Sequence, residues 1–301
     1  MLMPLAEPIP DLSALDLLVS VDQLGSISAA AGAHRITQPA ASMRLRQLER
    51  SLGLELLDRS HTGARLTPAG ERTVEWAGPV LQAVRALQTG AASLKADGGP
   101  CLTLAASLTV ADYLLPAWLQ RLAETDPELP VSLQMGNTSH VAGLVEAGEV
   151  EIGFIEGTRP TGRFRHRDLC RDHLVIVVSP RHPWARRRTP VTAGLLARTA
   201  LVVRERGSGT RDVLSEALAA HGTELRTSME LGSTAAIKAA AARGAGPAVL
   251  SGLAVEAELR SGQLVAVPYQ GVELERTIRA IWPVGRPLSP AGRRLVGAAS
   301  R

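Results

Sequence analysis

Residues 26 to 53, SISAAAGAHRITQPAASMRLRQLERSLG, restrict the fold more than any other stretch of this chain. Ser28 to His34 is short and Ala-rich, which suits a tightly packed helix with Ser28 as its N-cap. Arg35 and Ile36 come next as a connection. Thr37 is a second candidate cap, ahead of Gln38 and of Pro39, a residue tolerated in a first helical turn because no intrahelical donor is lost there. Ala41, Leu45, Leu48 and Leu52 then recur at spacings of four, three and four, one apolar stripe of a helix that Gly53 closes. The opposite face carries Gln38, Ser42 and Arg46. Two short helices joined by a tight turn, the second with a polar and basic outer face, predict a helix-turn-helix.

The residues on either side strengthen that expectation. LELLDRSHTGARL reads as an apolar run, a polar turn containing Gly63 and a second strand at residues 64 to 66, a hairpin wing that would carry Arg59 and Arg65 toward a phosphate backbone. Residues 11–24 supply a first helix with Leu12, Leu15, Leu18 and Val19 inward. Thr67 caps a long helix from Pro68, in which Val74, Ala77, Leu81, Val84, Leu87, Ala91 and Leu94 form a coiled-coil-like seam. Gly78-Pro79 is expected to kink or break it, since interior proline costs about 3 kcal/mol.

Beyond Pro100 the pattern becomes strand, turn and helix, repeated in two sets, which predicts two α/β subdomains. Residues between the sets read as a Gly/Arg-rich crossing. Four turns place small hydroxyl or amide residues where a helix begins: Ser107/Thr109, Asn137/Thr138, Ser208/Thr210 and Ser233/Thr234. Open α/β sheets bind ligands beyond the carboxyl ends of their strands, and helix N-termini there suit an anion. Capping alone explains one such turn; four at equivalent positions favour a ligand site. Arg211, a cation in a first helical turn, adds to the anionic reading because it opposes the helix dipole; Asp212 beside it is the competing explanation.

Charge is a weaker guide. The pI is near 9.6, yet residues 35–66 hold only six Arg against three acids, while residues 159–188 hold nine Arg against Asp168 and Asp172. Cys101 and Cys170 are too few for a disulfide scaffold and read as reduced thiols. MLMPLAEPIPDL has no basic residue, which argues against a secretory leader, and no apolar run approaches a membrane span. A cytoplasmic protein without a membrane partner is expected. Hydrolase elbows, zinc-protease motifs and Walker A loops are absent from the sequence, so neither an enzyme nor a metal or cofactor is expected.

Ser26, Ala29-Ala30, Gln38-Pro39-Ala40, Ser42, Leu48-Glu49, Leu52-Gly53, Asp58-Arg59 and Leu66-Thr67-Pro68-Ala69-Gly70 resemble the amino-terminal signature of LysR-type transcriptional regulators over about sixty residues. Leu18 and Leu57 stand where that family usually has Phe, and Met43 where it often has a polar or basic residue. ASLTVADYLLP, GNT, GSGTR, MELGSTAAIK and GRPLSP resemble the subgroup that regulates sulfur assimilation and carbon fixation. The resemblance implies a winged helix-turn-helix over 1–67, a dimerising linker helix over 68–97, and a periplasmic-binding-protein-like α/β effector domain over 98–301. Within the last, one subdomain would comprise about 98–160 and 269–301, the other about 161–268. It further implies a homodimer or homotetramer on double-stranded promoter DNA, controlled by a small effector. Gln38, Pro39 and Ser42 would reach base edges; Thr37, Arg46 and Arg59 would hold phosphates. The alternative from a different class is an α/β enzyme or solute-binding protein joined to an unrelated helical domain.

Overall fold

A computed structural model describes residues 9–58, 65–95, 101–157 and 164–300, and the chain divides into two compact units, residues 1–90 and 91–301. Arg59 and Gly63 lie outside the described residues.

In the first unit, helices Leu12–Leu24, Ile27–Ala33 and Gln38–Leu52 pack around one aliphatic core. Leu18 and Leu57, both departures from the family pattern, are buried in it, so they fill space. The second helix begins earlier than a cap at Ser28 predicts. Ser26 is the extended residue before it and accepts from the Ala29 N–H, so Ser28 falls within the first turn. Arg35 closes this helix in the left-handed region, φ 54°, while Ile36 N–H bonds back to the Ala31 carbonyl. Such a closure normally falls to glycine, which is why no turn residue announces it. Thr37 caps the third helix by accepting from Ala40 N–H, and Gly53 ends it at φ 67°. Strands Leu57–Asp58 and Arg65–Leu66 pair antiparallel as the wing.

The long helix Pro68–Lys95 runs unbroken through Gly78-Pro79, so of the expected kink or break it shows no break. Ala77 and Leu81, on either side of the proline, are both anchored in the core. Glu75, whose carbonyl loses its donor to Pro79, is exposed, so water can satisfy that oxygen. The same packing corrects the seam: Leu81 is buried inside its own unit, whereas Trp76, Val80 and Leu87 are the exposed large apolar residues among those described in this helix.

The second unit is built on one nine-stranded sheet. Its order is 131–136, 102–107, 152–157, 275–283, 164–178, 248–251, 201–204 and 227–231, with 265–267 also on 164–178. Much of the Gly/Arg-rich crossing is in fact part of a fifteen-residue strand, Phe164–Val178. Its first part pairs antiparallel with Glu275–Pro283 and its last part with Ala248–Ser251 and Val265–Val267, so one strand belongs to both sets. Residues 165 to 168 are all exposed. Without buried alternate positions they carry no period-2 signal. Separate cores form around each set, one including Leu104, Phe154, Ile278 and Leu295, another Leu174, Val203, Leu214 and Leu274.

Candidate functional site

The first unit places the residues predicted to meet nucleic acid, Arg59 aside, at or near its surface. Thr37, Gln38, Pro39 and Arg46 are exposed, Ser42 is half-buried, and Arg65 is exposed on the wing. Met43 is 62% exposed on the same helix, so an apolar thioether stands on the surface where the family pattern has a polar or basic group. Glu49 accepts from the Leu56 and Leu57 N–H groups, locking helix Gln38–Leu52 to the wing.

In the second unit the predicted turns divide into three groups. Ser107, Thr109 and Thr210 converge on a buried ionic cluster that their spacing does not announce. Ser107 is the last residue of strand Leu102–Ser107 and donates to Glu156 Oε2; Thr109 Oγ1 donates to Glu156 Oε1 at 3.1 Å. Arg276, with no exposed side-chain surface, reaches Glu156 at 3.3 Å and Asp172 at 2.7 Å. Its guanidinium also donates to Thr210 Oγ1 at 2.8 Å and Thr109 Oγ1 at 3.2 Å. Ser251, the cap of helix Gly252–Arg260, donates to the remaining Asp172 oxygen at 2.8 Å. Thr109 and Glu156 come from one set of strands, Thr210 and Ser251 from the other, so Arg276 is bonded to both sides. Ser208, 1% exposed and two residues before Thr210, has a buried hydroxyl without a partner among the described residues.

Asn137 and Thr138 form a second group, the seam between the sets. Asn137 caps its own helix through His140 N–H and donates to the Arg206 carbonyl at 3.3 Å. Thr138 Oγ1 donates to the Glu156 carbonyl at 3.0 Å, and Ser139 N–H to that of Gly207 at 3.0 Å. The approach is close enough to require glycine: a Cβ on Gly209 would lie 2.0 Å from the Glu156 carbonyl oxygen.

Arg211, Ser233 and Thr234 stand apart from the cluster. The Arg211 guanidinium meets Glu230 at 2.5 Å and the Arg204 carbonyl at 3.1 Å. Its hydrogen bond holds the Glu230 carboxyl below the usual range. That pair gives the cation in the first turn a partner within the chain. Asp212 is itself pushed up, first by burial and then by Glu216. Ser233 is exposed and caps helix Thr234–Ala242, while Thr234 is buried at its start.

The residues that sequence reasoning missed are Glu156, Asp172 and Arg276. Glu156 lies inside the wholly buried strand Ile152–Gly157, where a charge signals a partnered interior group; Asp172, between exposed Arg171 and His173, and Arg276, between Glu275 and Thr277, carry no such signal. Beside Arg276 an open cleft of about 970 Å³ lies between the two sets, with Gly157, Thr277 and Arg279 on one wall and Val213, Glu216 and His221 on the other. Cys170 lies on the shared strand, its thiol pushed up by partial burial and by Asp172, an environment opposite to that of a reactive thiolate. Among the described residues no group of three or more His, Cys, Asp or Glu side chains could hold a metal ion.

Two family models match, one described as "Bacterial regulatory helix-turn-helix protein, lysR family" over residues 12–71, the other as "LysR substrate binding domain" over residues 99–301. An uncharacterized HTH-type transcriptional regulator of Mycobacterium tuberculosis is 38% identical, covering 96% of this chain and 96% of its own. A probable RuBisCO transcriptional regulator of Cyanidioschyzon merolae is 30% identical over 92% of this chain and 96% of its own. Among solved structures, the regulatory domain of Synechocystis CcmR in complex with 2-PG is similar at a TM-score of 0.61 and 25% identity, covering 66% of this chain and 95% of that one.

Proposed function

The chain belongs to the LysR family of bacterial helix-turn-helix transcriptional regulators, and from that premise we propose that it is a promoter-DNA-binding homo-oligomer switched by a small anionic effector held between its two α/β subdomains. The family match spans both units, which removes the reading of an α/β enzyme or solute-binding protein joined to an unrelated helical domain. Bacterial promoter DNA makes the cytoplasm its place of work. No described helix is long and apolar enough to cross a membrane.

The observation that carries the DNA half is the exposed row Thr37, Gln38, Pro39 and Arg46 on a capped, core-anchored helix, with Arg65 exposed on the wing. Gln38, Pro39 and Ser42 read bases; Thr37, Arg46, Arg65 and Arg59, the last beyond the described residues, hold phosphates. Gln38→Ala should cost about 1–3 kcal/mol at one base position while sparing random DNA. Arg65→Ala should weaken all sequences alike and flatten the salt slope by about one unit. Gel shifts on the cognate promoter and on a scrambled duplex separate the two. Equal losses on both duplexes for Gln38→Ala would remove it from base reading.

The anion half rests on the wholly buried Arg276 guanidinium, which bonds hydroxyls from both subdomains, those of Thr109 and Thr210. A carboxylate or phosphate there touches both subdomains and so favours one relative arrangement over another. CcmR, in complex with 2-PG, supports a phosphorylated or carboxylated metabolite. Titrating small phosphates and carboxylates into a promoter gel shift tests it; a response to neutral or cationic metabolites alone would reject the anion. Arg211 is assigned no direct contact, since Glu230 already neutralises it.

Oligomerisation through the linker helix is assigned to Trp76, Val80 and Leu87, at helical spacings of four and seven. Replacing all three with Asp should yield monomers in sedimentation while the first unit stays helical, because none of the three belongs to its buried core.

A further inference from the structure

The seat to which an anion is assigned already contains one. Glu156 is the penultimate residue of strand Ile152–Gly157 and is 2% exposed. Its carboxylate accepts from the hydroxyls of Ser107 and Thr109 and lies 3.3 Å from Arg276 Nη1. These are the donors a soluble anion would use. Charge counting makes the conflict sharp: two carboxylates, Glu156 and Asp172, face one guanidinium, so the cluster carries a net negative charge in a closed interior. A further anion placed beside it meets repulsion and desolvation together. Asp172 has a separate task, holding Arg276 and the Ser251 cap. Glu156 makes the contacts that an external carboxylate could reproduce one for one.

We propose that the Glu156 carboxylate is a tethered anion, an internal occupant of the effector seat that keeps Arg276 engaged when no effector is bound. A soluble carboxylate or phosphate enters by exchange: it takes over Arg276, Ser107 and Thr109 as Glu156 swings away. Net charge at Arg276 is then unchanged for a monoanion. The chain thereby sets its own threshold, since an effector must outbind a competitor that is always present. This deepens the anion-effector reading and rests on it.

Acetate is the probe, because Glu156→Ala removes a methylene and a carboxylate of its size. The full-length wild type, Glu156→Ala and the isosteric Glu156→Gln would be unfolded thermally in sodium acetate and in sodium chloride of equal ionic strength. Glu156→Ala should melt lower in chloride and recover in acetate with the logarithm of its concentration, by about 3–6 °C at ten times the dissociation constant. Wild type and Glu156→Gln, whose seats are filled, should melt alike in both salts. If Glu156→Ala does not fold unaided, refolding from urea should succeed in acetate and fail in chloride. A folded Glu156→Ala that ignores acetate, acetate stabilising all three proteins equally, or refolding that fails in both salts overturns the inference. An acetate-blind Glu156→Ala with a wild type whose DNA binding still answers to an anion would sink only the tethered carboxylate. Acetate rescue with a wild type deaf to every anionic metabolite would leave the tether standing and remove the effector reading.

Discussion

Arg276→Ala should be the most damaging single substitution in the effector unit, lowering its stability by about 3–5 kcal/mol. The substitution leaves Glu156 and Asp172 buried at 2% and 4% exposure, with the cation bonded to both removed. Thr109 and Thr210 lose the bridge that joins the two subdomains. Urea unfolding followed by tryptophan fluorescence reports on this unit through Trp118, Trp184 and Trp282. Arg276→Met combined with Glu156→Gln and Asp172→Asn should recover much of the loss, because no buried charge is then left without its partner. If Arg276→Ala alone cost no more than a surface substitution, well under about 1 kcal/mol, the cluster would have no structural weight.

Gly209→Ala should produce the second large effect by another route. The added methyl would sit 2.0 Å from the Glu156 carbonyl oxygen and 2.9 Å from Thr138 Oγ1, the first of them main chain that has little freedom to retreat. Overpacking of this kind costs about 1–3 kcal/mol. Here it also pries the Ser208–Thr210 turn from the other subdomain, so the contacts Asn137 to Arg206 and Ser139 to Gly207 are expected to loosen. Hydrogen exchange at Ser139 N–H should accelerate, and the promoter response to effector should weaken without loss of basal DNA affinity. Gly222→Ala, at φ 66° and with nothing near its Cβ, is the control for strain without collision.

The two units differ in how far their residues announce them. Helix Gln38–Leu52 is legible because cap, proline, apolar period and terminal glycine all agree within a short stretch. The cap of the preceding helix is ambiguous, because Ser26 and Ser28 are equivalent as residue types and only the extended backbone at Ser26 selects one. Pro79 fails to break its helix for a different reason: its local cost is offset by anchoring, and Ala77 and Leu81 find that anchoring in the core shared with other helices. In the effector unit the strand ends are marked by their hydroxyl turns, yet the charges those hydroxyls bind are not. Arg276 is 104 residues beyond Asp172, and Glu156 is earlier still in the chain. Only pairing of Glu275–Pro283 with both neighbouring strands brings the three together.

The fifteen-residue strand Phe164–Val178 passes whole from one subdomain into the other, held along Glu275–Pro283 by a ladder that shifts register once, between Ile278 and Arg279. Sliding such a pair by one residue would turn every side chain to the opposite face, so translation along the strands is barred by the cores on both sides. What remains soft is torsion about the strand axis. On the proposed function, the signal expected from this cleft is therefore an angle rather than a distance, and which walls a ligand grips should matter more than its size.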